Sequence, residues 1–279
     1  MKTKLGDYNT LTITRFTESG AYLSNGDGLE ILMPKQYTTP QMRPGTEVEV
    51  FVYLDQQNRP VATTETPLCK VGDFAYLEVS WLNEYGAFLH WGLLKDLFVP
   101  FSQQRVKMIK GHSYVVYVYI DERSGRITAS SRINQFLLDS KPDLEEKQEV
   151  SILIYRRTEL GYKAIILDTK TEGLLYKDEV FRNLSIGDKL TAFVHKIRPD
   201  GKIDLSLQLG GRAHVEDFAV TLLQSLKNKP NHFIPLTDTS APDEIYDYYG
   251  VSKKTFKRAV GALYKERLIA LEPDGIRLL

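Results

Sequence analysis

Along most of the chain, apolar and polar residues alternate in short runs broken by glycine or Asp-Gly. Between residues 73 and 130 the runs are 73–82, 85–91, 96–99, 113–121 and 125–130, each rich in β-branched and aromatic side chains. A period of two in such residues predicts half-buried β-strands. "DERSG" (121–125) and "RPDG" (198–201) predict hairpin turns, because glycine reaches positive φ without steric cost. After "LSLQLGGR" the period becomes helical. "HVEDFAVTLLQSLKNK" (214–229) puts Val215, Phe218, Leu222 and Leu226 on one stripe. "TSAPDEIYDYYG" (239–250) predicts a capping box at Ser240 and Asp243 and a glycine stop, and Ser252 is placed to cap a third helix. "IALEPDGIRLL" predicts two strands about a Pro-Asp-Gly turn.

The strand-rich part repeats. "LGDYNTLTITRFTESGAYL" (5–23) aligns without a gap on "VGDFAYLEVSWLNEYGAFL" (71–89), and both Gly20 to Gly45 and Gly86 to Gly111 span 25 positions. A third copy begins at "EVSILIYRRTELGYKAI" (149–165), where Gly161 to Gly187 spans 26 positions. Three copies mean three units of one fold. Five strands with a short helical turn after the third is the layout of an OB-type barrel. Helix, helix, Gly-Val-Ser turn, helix and hairpin is the order of a winged helix.

Composition narrows the function. Apolar residues make up 42% and charged residues 26%, ordinary values for a soluble globular protein. Lys plus Arg and Asp plus Glu are 36 each, so overall charge gives no support for a polyanion partner. Divided at 66, 140 and 210, the four segments hold 6, 8, 12 and 10 basic against 8, 7, 12 and 9 acidic residues, and none is strongly basic. A nucleic-acid site must then be a local patch, and its binding modest and salt-sensitive. Cys69 is the single cysteine, which points to a reducing compartment, and no stretch approaches the ~18 apolar residues of a membrane span. The expectation is a cytoplasmic protein with no membrane partner.

The order G-D-x-x-x-x-x-V, acid-aromatic-G-A-F, apolar run, G-x-x-x-x-V-x-V and R-I-x-x-S resembles the S1 domain of ribosomal protein S1 and its relatives. The second unit carries the pattern best and the first, ending "RPVATT", least. The resemblance implies a mostly β protein: three tandem S1-like OB-fold five-stranded barrels at 1–66, 67–140 and 141–210, then a C-terminal winged-helix (α+β) domain at 211–279. It also implies single-stranded RNA on a strand face, at the two aromatics of F-G-A-F and a following His. Those aromatics are Tyr85 and Phe88 in the second unit, Ser19 and Tyr22 in the first, and Leu160 and Ala164 in the third; the His position falls on Pro100, Pro34 and Tyr176.

Strand alternation aims Phe74, Val79 and Leu82 inward and Tyr76, Trp81, Tyr85 and Trp91 outward, though an outward Trp also suits a contact between barrels. Aromatic planes stack bases and cations meet phosphates. The cations nearest the pattern are Lys107 and Lys110 in "VKMIKG" and Arg156 and Arg157 in "IYRR". The third unit adds Tyr162, Tyr176, Lys177 and Arg182 and relies more on charge. The plainer reading of any one strand aromatic is that it packs in a core.

On the third predicted helix Phe256, Val260 and Leu263 share one face, with Lys254, Lys257, Arg258, Gly261 and Lys265 opposite. That face suits phosphates of duplex nucleic acid, though it has no Asn or Gln to read adenine, and a solvated surface explains it equally. No catalytic motif is present, and His90, His112, His195, His214 and His232 lie at least 18 positions apart, without metal-ligand spacing. The chain reads as a non-enzyme without a cofactor. Its domain order, "SKKTFKRAVGALYKE" and "EPDGIRLL" resemble the conserved virulence factor B family of bacterial RNA-binding regulators. The resemblance implies post-transcriptional regulation. A DNA-binding regulator and a protein scaffold linked to translation stay open beside it.

Overall fold

The structure, a computed structural model, describes residues 3–26, 28–138, 143–177, 180, 183–207 and 212–279. Three closed five-stranded barrels follow one another. The first is built from β1 (Asp7–Thr17), β2 (Gly20–Ser24), β3 (Ile31–Pro34), β4 (Glu47–Leu54) and β5 (Pro60–Thr63). The second uses β6 (Phe74–Leu82), β7 (Gly86–Leu89), β8 (Leu97–Pro100), β9 (Ser113–Ile120) and β10 (Ile127–Ser130). The third uses β11 (Glu149–Arg157), β12 (Gly161–Ile166), β13 (Thr171–Tyr176), β14 (Lys189–Ile197) and β15 (Ile203–Ser206). In each, the third and fifth strands close the barrel in parallel, as in Leu32 opposite Val61, Phe98 opposite Thr128 and Leu174 opposite Asp204. A 3-10 turn follows the third strand at Lys35–Tyr37 and Phe101–Gln103; in the third barrel most of that segment, with Arg182, lies outside the described residues.

Contacts divide the chain into two compact units, the first ending at Leu137 and the second beginning at Leu138. Within the first unit, β4 is buried on both faces, and its run "VFVY" is continuous rather than alternating for that reason. Val50 and Val52 fill the first barrel, while Phe51 and Tyr53 join the second barrel's apolar cluster. There Trp91 meets Phe51 edge to face at 5.9 Å, and its indole N–H donates to Lys95 O at 2.6 Å. Burying a side chain of this size contributes roughly 1.5–3 kcal/mol. Trp91 is thus only 3% exposed, contrary to its outward assignment, because it is the contact between barrels. Leu82 departs the other way: it is exposed at the end of β6.

Polar links reinforce the joint. Lys70 Nζ pairs with Asp7 Oδ1 at 3.0 Å, and Val71 N–H donates to Gly6 O at 2.9 Å. Cys69 is buried in the same cluster, and burial, with Asp73 nearby, pushes its thiol up to about 12. Since the thiolate is the reactive form, the native protein should resist a disulfide reagent that labels it fully in denaturant. Fast native labelling would mean that the joint opens.

The C-terminal helices are α1 (Arg212–Asn228), α2 (Pro242–Tyr249) and α3 (Lys253–Lys265). Phe218, Leu222 and Leu226 of α1 face Ile245, Phe256, Val260 and Leu263 in one core; the Val215 side chain lies outside the described residues. Ser252 Oγ caps α3 by accepting from Thr255 N–H at 2.8 Å, and Gly250 ends α2 at φ 66°. The expected Ser240–Asp243 box is displaced by one residue. Ala241 is the N-cap and Glu244 Oε2 accepts its N–H at 3.2 Å, while Ser240 Oγ accepts from Thr237 N–H. Besides the hairpin β17 (Ile269–Glu272) and β18 (Gly275–Leu278), the sheet has β16 (Phe233–Ile234), too short for a periodic signal. No helix among the described residues is long and apolar enough to cross a membrane.

Candidate nucleic-acid interface

The three barrels share one local device. The first strand of each pairs with the second through a bulge, between Ile13 and Arg15, Val79 and Trp81, and Ile154 and Arg156. One extra residue reverses the facing of the next side chain. Arg15, Trp81 and Arg156 therefore stand opposite Tyr22, Phe88 and Lys163. This register corrects the third-unit alignment. Lys163, not Ala164, holds the Phe88 position, and Ala164 is fully buried.

An acid on or just before the third strand completes the device at Glu30, Asp96 and Glu172. In the second barrel Trp81 stacks on Phe88 with ring centroids 3.7 Å apart and planes 3° from parallel. Its Nε1–H donates to Asp96 Oδ2 at 3.0 Å, and Phe98 lies 5.0 Å from the other side of the stack. Phe88 is thereby spent on packing, and Trp81, 43% exposed, presents the outer plane. In the first barrel a guanidinium replaces the indole. Arg15 lies 3.9 Å over the half-buried Tyr22 and pairs with Glu30 at 2.7 Å. That guanidinium, then the Thr14 hydroxyl, holds the Glu30 carboxyl below its usual range. In the third barrel Glu172 accepts from the Tyr155 hydroxyl and from Lys163 Nζ at 2.6 Å.

The remaining expected residues fall in distinct places. Tyr85, 65% exposed, extends from the turn into β7, where Asn83 Oδ1 accepts from Tyr85 and Gly86 N–H. Tyr76 is exposed on β6 before the bulge. Lys107 and Lys110 project from the segment before β9, which Gln104 secures through Val99 O and Met108 N–H and which buries Met108. Arg157 is exposed and lies 5.8 Å over Tyr162, while Arg156 is half-buried 5.5 Å from Tyr155. Tyr176 accepts from Arg198, which also pairs with Asp204 at 2.8 Å; Lys177 is exposed. On α3, Lys254, Lys257, Arg258 and Lys265 are all exposed, with Lys257 3.6 Å from Asp238.

Sequence reasoning missed Arg15, Glu30, Asp96, Glu172 and Arg198. A signal existed for the first four. Counted from Gly20, Gly86 and Gly161, the bulge residue comes five before, its partner two after, and the acid 10, 10 and 11 after. Among the described residues no group of three or more His, Cys, Asp or Glu could hold a metal ion.

Comparison with known proteins finds two domain models in the chain. Residues 5–65 match the S1 domain model, in the barrel whose sequence departs most from the pattern, and residues 220–278 match the CvfB-like winged helix domain. The chain is 29% identical over 269 residues to the uncharacterized protein YitL of Bacillus subtilis, covering 93% of this chain and 89% of that one. It is 21% identical over 261 residues to conserved virulence factor B of Staphylococcus aureus strain N315, covering 91% and 86%. A solved structure, a multidomain protein with nucleic acid binding domains from Streptococcus pneumoniae, aligns over 99% of this chain and 98% of its own at 22% identity and TM-score 0.43. The S1 match supports a nucleic-acid-binding role for the chain.

Proposed function

We propose that this chain, which belongs to the conserved virulence factor B family, is a non-catalytic protein that binds single-stranded RNA and regulates gene expression after transcription in the cytoplasm. The observation that carries the reading is the Trp81–Phe88 stack, held by Asp96 with Trp81 exposed, together with the exposed Tyr85 in the turn joining the same two strands. A plane held in place loses little entropy when a base stacks on it, and each such stack contributes ~1–3 kcal/mol. Because no segment is strongly basic, affinity is built by linking several weak sites along one strand. The exposed cations of α3 supply a further phosphate contact.

Fluorescence anisotropy with labelled single-stranded RNA, single-stranded DNA and duplex DNA at two salt concentrations tests this. RNA should bind more tightly than duplex, and more weakly as salt rises. Preference for duplex DNA would transfer the function to Lys254, Lys257 and Arg258. No binding to any of the three would refute the reading in favour of a protein-interaction scaffold.

A further inference from the structure

Between the first two barrels, inside the first compact unit, lies a cleft of about 580 Å³. This is within the ~300–1,000 Å³ range of small-molecule sites. The second barrel supplies one wall, with Tyr85, Phe88, Phe98 and Arg126. The first barrel supplies the other through its β4–β5 hairpin, with Gln56 and Asn58. Lys95 ties the walls together, its Nζ donating to Asp55 O at 2.7 Å. The hairpin is itself braced: Asp55 Oδ1 accepts from Gln57 and Arg59 N–H, and Asp55 Oδ2 pairs with Arg59 at 2.7 Å.

The lining offers three kinds of group with bonding capacity to spare. Tyr85 offers an exposed plane. Among the described residues, the side-chain amides of Gln56 and Asn58 have no hydrogen-bond partner, and Arg126 and Lys95 have no carboxylate partner. Asp96 is the one acid in the lining, and it is engaged by Trp81, so two cations face one occupied carboxylate. Burial and then the nearby Arg126 lower the Lys95 ammonium, with Asp55 opposing them as the smallest influence. The comparable groove on the third barrel, about 770 Å³, lacks this character. Its Lys163, Arg198 and Lys202 are paired with Glu172, Asp204 and Asp200 at 2.6, 2.8 and 2.7 Å.

An aromatic plane, free amides and two cations with no carboxylate in contact match the face, edge and phosphate of a nucleotide. We propose that the cleft receives one nucleotide of a bound single-stranded RNA, its base against Tyr85 and Phe98, its edge at Gln56 and Asn58, and its phosphate between Lys95 and Arg126. This rests on the RNA-binding reading above. It gives the first barrel, where Arg15 over Tyr22 replaces the aromatic pair, a role as the second half of its neighbour's site.

The test uses the full chain and a short labelled oligouridylate and oligoadenylate. One variant is Arg126→Ala. The other joins Gln56→Ala to Asn58→Gly; glycine is chosen because Asn58 sits at φ 60°, where alanine would strain the turn. Arg126→Ala should weaken binding about tenfold and lower the salt slope by about one phosphate contact. The hairpin variant should weaken it about fivefold, with unfolding curves unchanged in both. RNA affinity unaltered in both variants would overturn the cleft and leave the RNA-binding reading intact. Failure of the unaltered chain to bind either RNA would overturn both.

Discussion

Replacing Trp81 and Tyr85 together by alanine should cost about ten- to a hundredfold in affinity for single-stranded RNA, from two lost stacks of ~1–3 kcal/mol each, reduced by incomplete additivity. Both side chains are exposed, at 43% and 65%, so the barrel core is left in place. Thermal unfolding near that of the unaltered protein separates loss of contact from loss of fold. Trp81 is the informative half of the pair because Phe88, the more obvious aromatic, lies beneath it. A folded double variant with unchanged affinity would sink the stacking hypothesis. A loss equal for RNA and duplex DNA would mean that the surface contributes no preference for single strands.

Gly86→Ala should destabilise the second barrel by about 3 kcal/mol or more, because a rigid backbone clash cannot relax without parting two strands. A Cβ at Gly86 would lie 2.2 Å from Val99 O and 2.9 Å from Pro100 Cα. Gly20 and Gly161 occupy the same place in their barrels, with Cβ positions 2.1 Å from Met33 O and 2.0 Å from Leu175 O. This close approach explains why a glycine recurs at this place: the second strand starts where it crosses the end of the third. Gly111→Ala is the control. Nothing lies within 4 Å of its Cβ, and its φ of 77° leaves a penalty of about 1 kcal/mol. Chemical denaturation followed by circular dichroism measures both. A loss at Gly86 no larger than at Gly111 would show that the strand crossing accommodates a Cβ and does not select glycine.

Much of this was legible along the chain. The barrels follow from a period of two, the three helices from a period near 3.6, and the turns from glycines that need positive φ. The Ser252 cap and the buried stripe of Phe256, Val260 and Leu263 fall where the pattern puts them. These features depend on residues adjacent in sequence, so the sequence alone determines them. It also determined that the second unit holds the richest set of aromatics.

The tertiary structure decided how those aromatics are used. Alternation cannot register a bulge, so the opposition of Trp81 to Phe88, and of Arg156 to Lys163, appears only when strands pair. The Ser240 cap failed because Ser240 closes the preceding loop instead, and Pro242 starts the helix one residue later. Trp91 and Trp81 are equally apolar in a strand pattern. One became the joint between barrels because Phe51 lies opposite it, and the other remained outside because Asp96 holds its indole N–H. The cleft likewise joins Asn58 to Arg126 across two barrels, through contacts between residues far apart in the chain that no local period encodes.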